Sequence, residues 1–127
     1  MIALLALAAA VAAAPIADPI EDACYERDAS QQAMNACAGA AYQRADTALN
    51  AQWAGVMKIY GDDAEAKTLL LDSQRAWLKY RDGQCQMAAF DSRGGSIWPL
   101  MNSLCLAEMT RARTAELKAL IEGEAGQ

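Results

Sequence analysis

An all-α fold is what this sequence predicts: a small antiparallel three-helix bundle with an N-terminal arm, stapled by two disulfides. Three observations predict it. Strand formers are scarce, with one Phe, few β-branched residues and no sustained alternation. Ala, Leu, Met, Gln, Glu and Lys dominate, and these favour helix. Cys85 and Cys105 lie almost symmetrically about a single turn, Arg93-Gly94-Gly95-Ser96. Two helices packed antiparallel from that turn bring both sulfurs to one height, about 15 Å from the bend at 1.5 Å per residue.

Taken in order, the chain opens on an apolar run. Residues 1–17 carry no charged side chain, and Met1 to Ala14 is almost wholly Ala, Leu, Ile and Val. Such a run is too short for a spanning helix, which needs about 20 residues. It matches the apolar region of a secretory signal, ending in small residues suited to a peptidase after Ala13 or Ala17. Residues 1–17 are therefore read as a signal peptide and residues 18–127 as one helical domain. No Lys or Arg precedes the run, which departs from the usual pattern; a buried N-terminal helix is the alternative. Cys24 follows Glu21-Asp22-Ala23, unlike a lipid-anchoring cleavage site. The mature protein is expected to be periplasmic or secreted, without stable membrane insertion.

Asp18 to Arg27 reads as a short arm opened by Pro19. Asp28-Ala29-Ser30-Gln31 resembles a helix start, with Ser30 a rival cap to Asp28. From there Met34, Cys37, Ala41, Ala45, Ala48, Leu49, Trp53, Val56 and Tyr60 recur at helical spacing. Gly61 ends this first helix, and Asp62 or Asp63 caps the next. The second helix is expected from about Asp63 to Phe90, with Ala66, Leu69, Leu70, Trp77, Tyr80 and Ala88 as its apolar stripe. Gly94-Gly95 breaks it. Ser96 can cap the third helix, and Pro99 falls in that helix's first turn, where its missing N–H costs little. Met101, Leu104, Cys105, Met109, Ala112, Leu117 and Leu120 should line the third helix, and the tail after Glu122 should fray.

All four Cys follow the signal segment, so two disulfides are expected in an oxidising compartment. If Cys85 pairs with Cys105, Cys24–Cys37 follows by elimination, and the reach of four extended residues permits it. The sequence leaves two other connectivities open. Each bridge should contribute on the order of 3 kcal/mol.

Charge and composition exclude several functions. Lys and Arg total 11 against 16 Asp and Glu, a net charge of −5. That balance disfavours nucleic acid and anionic membranes and suits a basic protein partner. There is no His, which removes Ser-His-Asp and Cys-His catalysis and His-based metal sites. Oxidised Cys removes thiolate nucleophiles and zinc-thiolate sites. Gly94-Gly95-Ser96 lacks the Lys-Ser/Thr of a phosphate-binding loop and reads as a turn. No cofactor or metal is expected, and no catalytic residue is assigned. A carboxylate-dependent glycan hydrolase would need two acids across a cleft. Sixteen acids make some close pair inevitable, so that pattern is not specific.

The densest constellation is Gln74-Arg75-Ala76-Trp77-Leu78-Lys79-Tyr80-Arg81-Asp82-Gly83-Gln84-Cys85. Trp77 and Arg81 are four apart, so the guanidinium can lie over the indole. Asp46 and Asn50 are four apart on the first helix, and Thr110 and Arg113 lie near the packing edge of the third. The structural reading is an interhelical polar network of Asp46, Asn50, Gln74, Trp77, Arg81 and Arg113, with Arg81 or Arg113 paired to Asp46. The functional reading is a partner-binding surface of Arg81, Gly94, Gly95, Ser96 and Trp98.

These residues resemble one family. Cys24, Cys37-Ala38, Ala45-Asp46, Leu49-Asn50, Gln74-Arg75-Ala76-Trp77, Tyr80-Arg81-Asp82, Cys85, Gly94-Gly95-Ser96, Cys105, Thr110, Arg113 and Leu117 together are similar to the LprI-like domain. That is the N-terminal domain of the lysozyme inhibitor LprI, found also as a stand-alone exported bacterial protein. The resemblance runs from about Cys24 to Leu120. It implies a secreted or periplasmic all-α domain that inhibits a peptidoglycan-cleaving lysozyme, and it supplies no inhibitory residues. The alternatives are a cell-envelope interaction or structural protein with another partner, and the glycan hydrolase above.

Overall fold

The computed structural model describes residues 18–125. The chain forms α1 (Pro19–Arg27), α2 (Gln31–Tyr60), α3 (Ala64–Ala88), a 3-10 turn (Phe90–Ser92) and α4 (Trp98–Ala125). No strand occurs among the described residues. Both expected bridges are present, Cys24–Cys37 with Cα atoms 5.8 Å apart and Cys85–Cys105 with 5.4 Å. The apolar segment 1–17, read as a signal, lies outside the described residues.

One element differs in kind from the sequence reading. The arm is a helix. Asp18 caps it, its Oδ1 accepting from the backbone N–H of Ile20 and Glu21, and Pro19 follows where the first turn tolerates it. Nine residues are too few to hold a helix alone in water. Three links to other helices hold it: the Asp18–Arg44 ion pair at 2.7 Å, the Cys24–Cys37 bridge, and Glu21 facing Arg111.

Ser30, not Asp28, caps α2, accepting from the Ala33 N–H, while Asp28 accepts from the Ser30 N–H one step earlier. Gly61 closes α2 in right-handed geometry (φ −66°), its N–H bonding the Met57 carbonyl. Asp63 then caps α3 through the Ala66 N–H. The first intrahelical bond of α4 runs from the Met101 N–H to the Ile97 carbonyl, so its start lies one residue beyond Ser96. The Ser96 carbonyl instead accepts from Asn35 of α2 at 2.8 Å.

That bond and a contact at the opposite end set the helix order. Gly55 of α2 faces Ile121 of α4, whose Cδ1 would lie 3.3 Å from a Cβ at that position. So α2 and α4 run parallel, joined through the antiparallel α3. The backbones of α2 and α4 make the closest interface, while α3 approaches α4 more closely than it does α2 and meets α2 through larger side chains. Small residues explain this closeness: Ala38, Ala41 and Ala45 on α2 and Ala107 on α4 are all buried. Larger side chains fill the far half, where Leu49, Val56 and Leu117 form the core with Trp53, Leu70, Trp77 and Ile121 packed against it. Burying each of the three contributes roughly 1.5–3 kcal/mol.

The apolar stripes of α3 and α4 are met in part: Leu70 and Trp77 of α3 and Leu117 of α4 pack in the core as expected, while other members point outward. On α3, Leu69, Tyr80 and Ala88 are exposed, and the buried line runs through Arg81, Cys85 and Ala89. On α4, Met101, Leu104, Ala112 and Leu120 are exposed, and the buried line is Ala107, Thr110 and Leu117. Ala48 of α2 is likewise exposed, while Ala38 is buried. The seams on α3 and α4 carry a buried Arg and a buried Thr, which an apolar pattern does not register.

Candidate functional site

The α3–α4 hairpin is built from its turn outward. After Ala89 the helix tightens to a 3-10 turn, and Arg93 leaves it in extended backbone. Gly94 then adopts φ +77°, the left-handed region where a side chain costs roughly 1–2 kcal/mol. The Gly95 N–H bonds the Ser92 carbonyl, and the Trp98 N–H bonds the Gly95 carbonyl. Reversal of the chain thus depends on one glycine and two short backbone bonds.

Beside the turn an open groove of about 490 Å³ runs between the two helices. One wall is Asp82, Gln86 and Phe90 of α3 and the turn that follows it. The other is Trp98, Asn102 and Leu106 of α4. Within each wall the residues are four apart, one helical stripe. Arg93 and Gly94 close the turn end. The Arg93 guanidinium lies 3.7 Å from the Phe90 ring centroid and donates to the Phe90 carbonyl at 2.8 Å. Trp98 is half-buried. The Cys85–Cys105 bridge joins the two helices between these residues, so the wall spacing is set covalently.

Past the Asp82 end of the groove lies the polar network. Arg81 is only 6 % exposed, so it serves the surface through Asp82 rather than directly. Its Nε donates to Asp82 Oδ1 at 3.0 Å, its Nη2 sits 2.9 Å from the same oxygen, and its Nη1 donates to Thr110 Oγ1 at 3.3 Å. The guanidinium lies 5.2 Å from the Trp77 ring and 5.4 Å from the Tyr42 ring. Arg113 meets Trp77 from α4 at 5.9 Å and donates to Gln74 Oε1, Glu116 Oε2 and Ser73 Oγ. Asp82 is exposed and water screens it. The greater contribution from Arg81 is its stacking on Trp77 and Tyr42, about 0.5–2 kcal/mol, and the packing of its buried stem.

The structure brings Gln74, Trp77, Arg81 and Arg113 together. It leaves Asp46 and Asn50 apart from them: Asn50 donates to Asp46 along α2 at 3.4 Å, and Arg81 takes Asp82 as its carboxylate partner. Of the surface set, Gly94 and Trp98 line the groove, Ser96 ties the turn to α2, and Gly95 shapes the turn. Sequence reasoning missed Gln86, Phe90, Arg93, Asn102 and Leu106. A signal was present. Phe90 and Trp98, Gln86 and Asn102, and Asp82 and Leu106 stand four, eight and twelve residues either side of Gly94. The mirror argument that paired the cysteines applies equally to them.

A second polar cluster sits on the flank of the same half of the bundle, where α1 packs against the N-terminal half of α2 and against α4. Glu21 is buried and accepts from the Tyr25 hydroxyl at 2.6 Å. Burial, then the bond and charge of Glu21, hold the Tyr25 phenol well above its ordinary range. Arg111 Nη1 lies 3.9 Å from Glu21 Oε2, too far for a hydrogen bond, and its buried Nε and Nη1 have no hydrogen-bond partner. Burial pulls the Asp18 carboxyl upward, but the Arg44 bond and charge and the Glu21 and Ile20 N–H groups together hold it below the usual 3.8. Among the described residues no group of His, Cys, Asp or Glu is arranged to hold a metal ion, and no helix is long and apolar enough to cross a membrane.

Comparison with known proteins places these features. The family described as "Lysozyme inhibitor LprI" matches residues 22–117, which span both disulfides, the polar network and the groove. An uncharacterized protein of Rhizobium meliloti (strain 1021) is 47% identical over 104 residues, covering 73% of this chain and 75% of its own. No solved structure matches. With the family's span running from α1 through most of α4, the chain belongs to the lysozyme inhibitor LprI family.

Proposed function

We propose that this protein is an exported, non-catalytic binding module that blocks a lysozyme-type muramidase by covering its substrate cleft. The observation that carries the reading is the match to the lysozyme-inhibitor family over residues 22–117. The partner is a basic, peptidoglycan-cleaving enzyme, and the net charge of −5 steers the two together, chiefly raising the association rate. The contact surface is the Gly94–Trp98 turn with the groove behind it. Rigidity supports this choice, because a surface already fixed by a disulfide loses little freedom on binding. Export through a signal in residues 1–17 puts the protein in the periplasm or outside the cell, where its two disulfides persist. A single carboxylate, Asp82, lines the groove, whereas two-carboxylate glycan hydrolysis needs a pair. Lysozyme-driven clearance of a bacterial cell suspension, followed by turbidity with the purified mature chain added, tests the proposal. Slower clearance at micromolar excess supports it; unchanged clearance with several lysozyme types rejects it.

A further inference from the structure

We propose that the groove between α3 and α4 is a carbohydrate-binding site, taking a short stretch of a neutral glycan against Trp98 between the side chains of Gln86 and Asn102. This goes beyond inhibition, since it assigns the groove a ligand of its own. The volume of about 490 Å³ falls within the range of roughly 300–1,000 Å³ typical of small-molecule sites.

The lining chemistry selects the ligand class. The Gln86 and Asn102 amides each offer two donors and an acceptor, and neither makes a hydrogen bond within the protein among the described residues. At the far end of the α3 wall, Arg81 takes Asp82 through Oδ1 alone, so Oδ2 is free to accept. At the turn end Arg93 uses Nη1 on the Phe90 carbonyl, leaving its other N–H groups to donate. Arg93 lies over the Phe90 ring, which stays 46 % exposed, whereas among the described residues no guanidinium lies over Trp98, so the sugar face is assigned to Trp98. A sugar ring matches this set: its C–H face packs on an aromatic ring, and its hydroxyls both donate and accept. An apolar ligand would strand the two amides. A phosphate-rich one would meet the Asp82 carboxylate and the protein's net negative charge. The Cys85–Cys105 bridge holds the walls in place before any ligand arrives.

The test is calorimetric titration of the disulfide-intact mature chain with three neutral trisaccharides, chitotriose, cellotriose and maltotriose. The expected result is saturable binding of at least one. Asn102→Ala and Gln86→Ala should each weaken it about tenfold or more while leaving the melting temperature unchanged, and Trp98→Ala should abolish it. Absence of saturable binding by all three sugars would overturn the proposal. Binding that survives all three substitutions would also overturn it, as would a groove that takes a basic peptide and no sugar. The readout is separate from inhibition: a chain that binds sugar but leaves lysozyme unslowed rejects the inhibitory reading and keeps this one.

Discussion

The two disulfides close loops of similar length, spanning 13 and 20 residues, yet they hold very different structures. Cys24–Cys37 pins a nine-residue helix that also has an ion pair to α2 and a buried carboxylate facing α4. Cys85–Cys105 pins α3, a 25-residue helix whose backbone approaches α4 closely and which reaches α2 through side chains such as Trp77 and Arg81. The first bridge secures an accessory; the second secures a third of the bundle and both walls of the groove. What matters about a staple is how much structure leaves when it opens, and loop length alone does not give that.

The largest expected effect follows from that contrast. Cys85→Ser with Cys105→Ser should cost about 3 kcal/mol and lower the melting temperature by roughly 10–20 °C. The Cys24→Ser, Cys37→Ser pair should lower it distinctly less, because α1 can detach while the rest stays folded. Amide exchange sharpens the point: loss of the first bridge should expose residues 19–27 alone, and loss of the second should expose α3 as a unit. An equal drop for both pairs would break the comparison.

A smaller effect is expected within the hairpin. Arg81→Met keeps the length of the buried stem but loses the guanidinium stacked on Trp77 and Tyr42 and the Thr110 bond. It should cost about 2 kcal/mol in thermal or denaturant unfolding. A neutral or stabilising result would mean that the buried charge was retained for positioning Asp82 rather than for stability.

Hydrophobic and cysteine spacing made much of this legible in the sequence. The helix count after the arm and the turn at Gly94-Gly95 followed from glycine positions, and the cysteine spacing favoured the two bridges found while leaving two other connectivities open. The α2 face followed as well, because Cys37, Ala41, Ala45, Leu49 and Val56 are apolar and truly buried. Two things did not follow. The faces of α3 and α4 turned away from Leu69, Tyr80 and Leu120 because Arg81 and Thr110 occupy the seam, stabilised by partners on other helices that no local pattern reveals. The arm's helix was concealed by its length: Asp18-Pro19 is a sound helix start, but nine residues become helical only once docked.

The smallest expected effect lies at α1. Asp18→Asn removes a charge paired with Arg44, which is itself 36 % exposed, so about 1 kcal/mol or less is expected. The sign with pH is fixed. The Asp18 carboxyl is lowered in the folded state, so its stabilisation is complete above 3.8 and is lost as pH falls through the lowered value. Wild-type and Asp18→Asn unfolding curves should differ at neutral pH and converge in acid; a gap that widens in acid would contradict the ion-pair account.

Lysozyme clearance measured with the two double-serine proteins, at a temperature where circular dichroism shows both folded, puts the proposed division of labour to its most direct test. The Cys24→Ser, Cys37→Ser protein should still slow clearance as the wild type does, and the Cys85→Ser, Cys105→Ser protein should not. Inhibition that survives loss of the hairpin bridge but disappears with the α1 bridge would place the working surface at α1 and contradict the account.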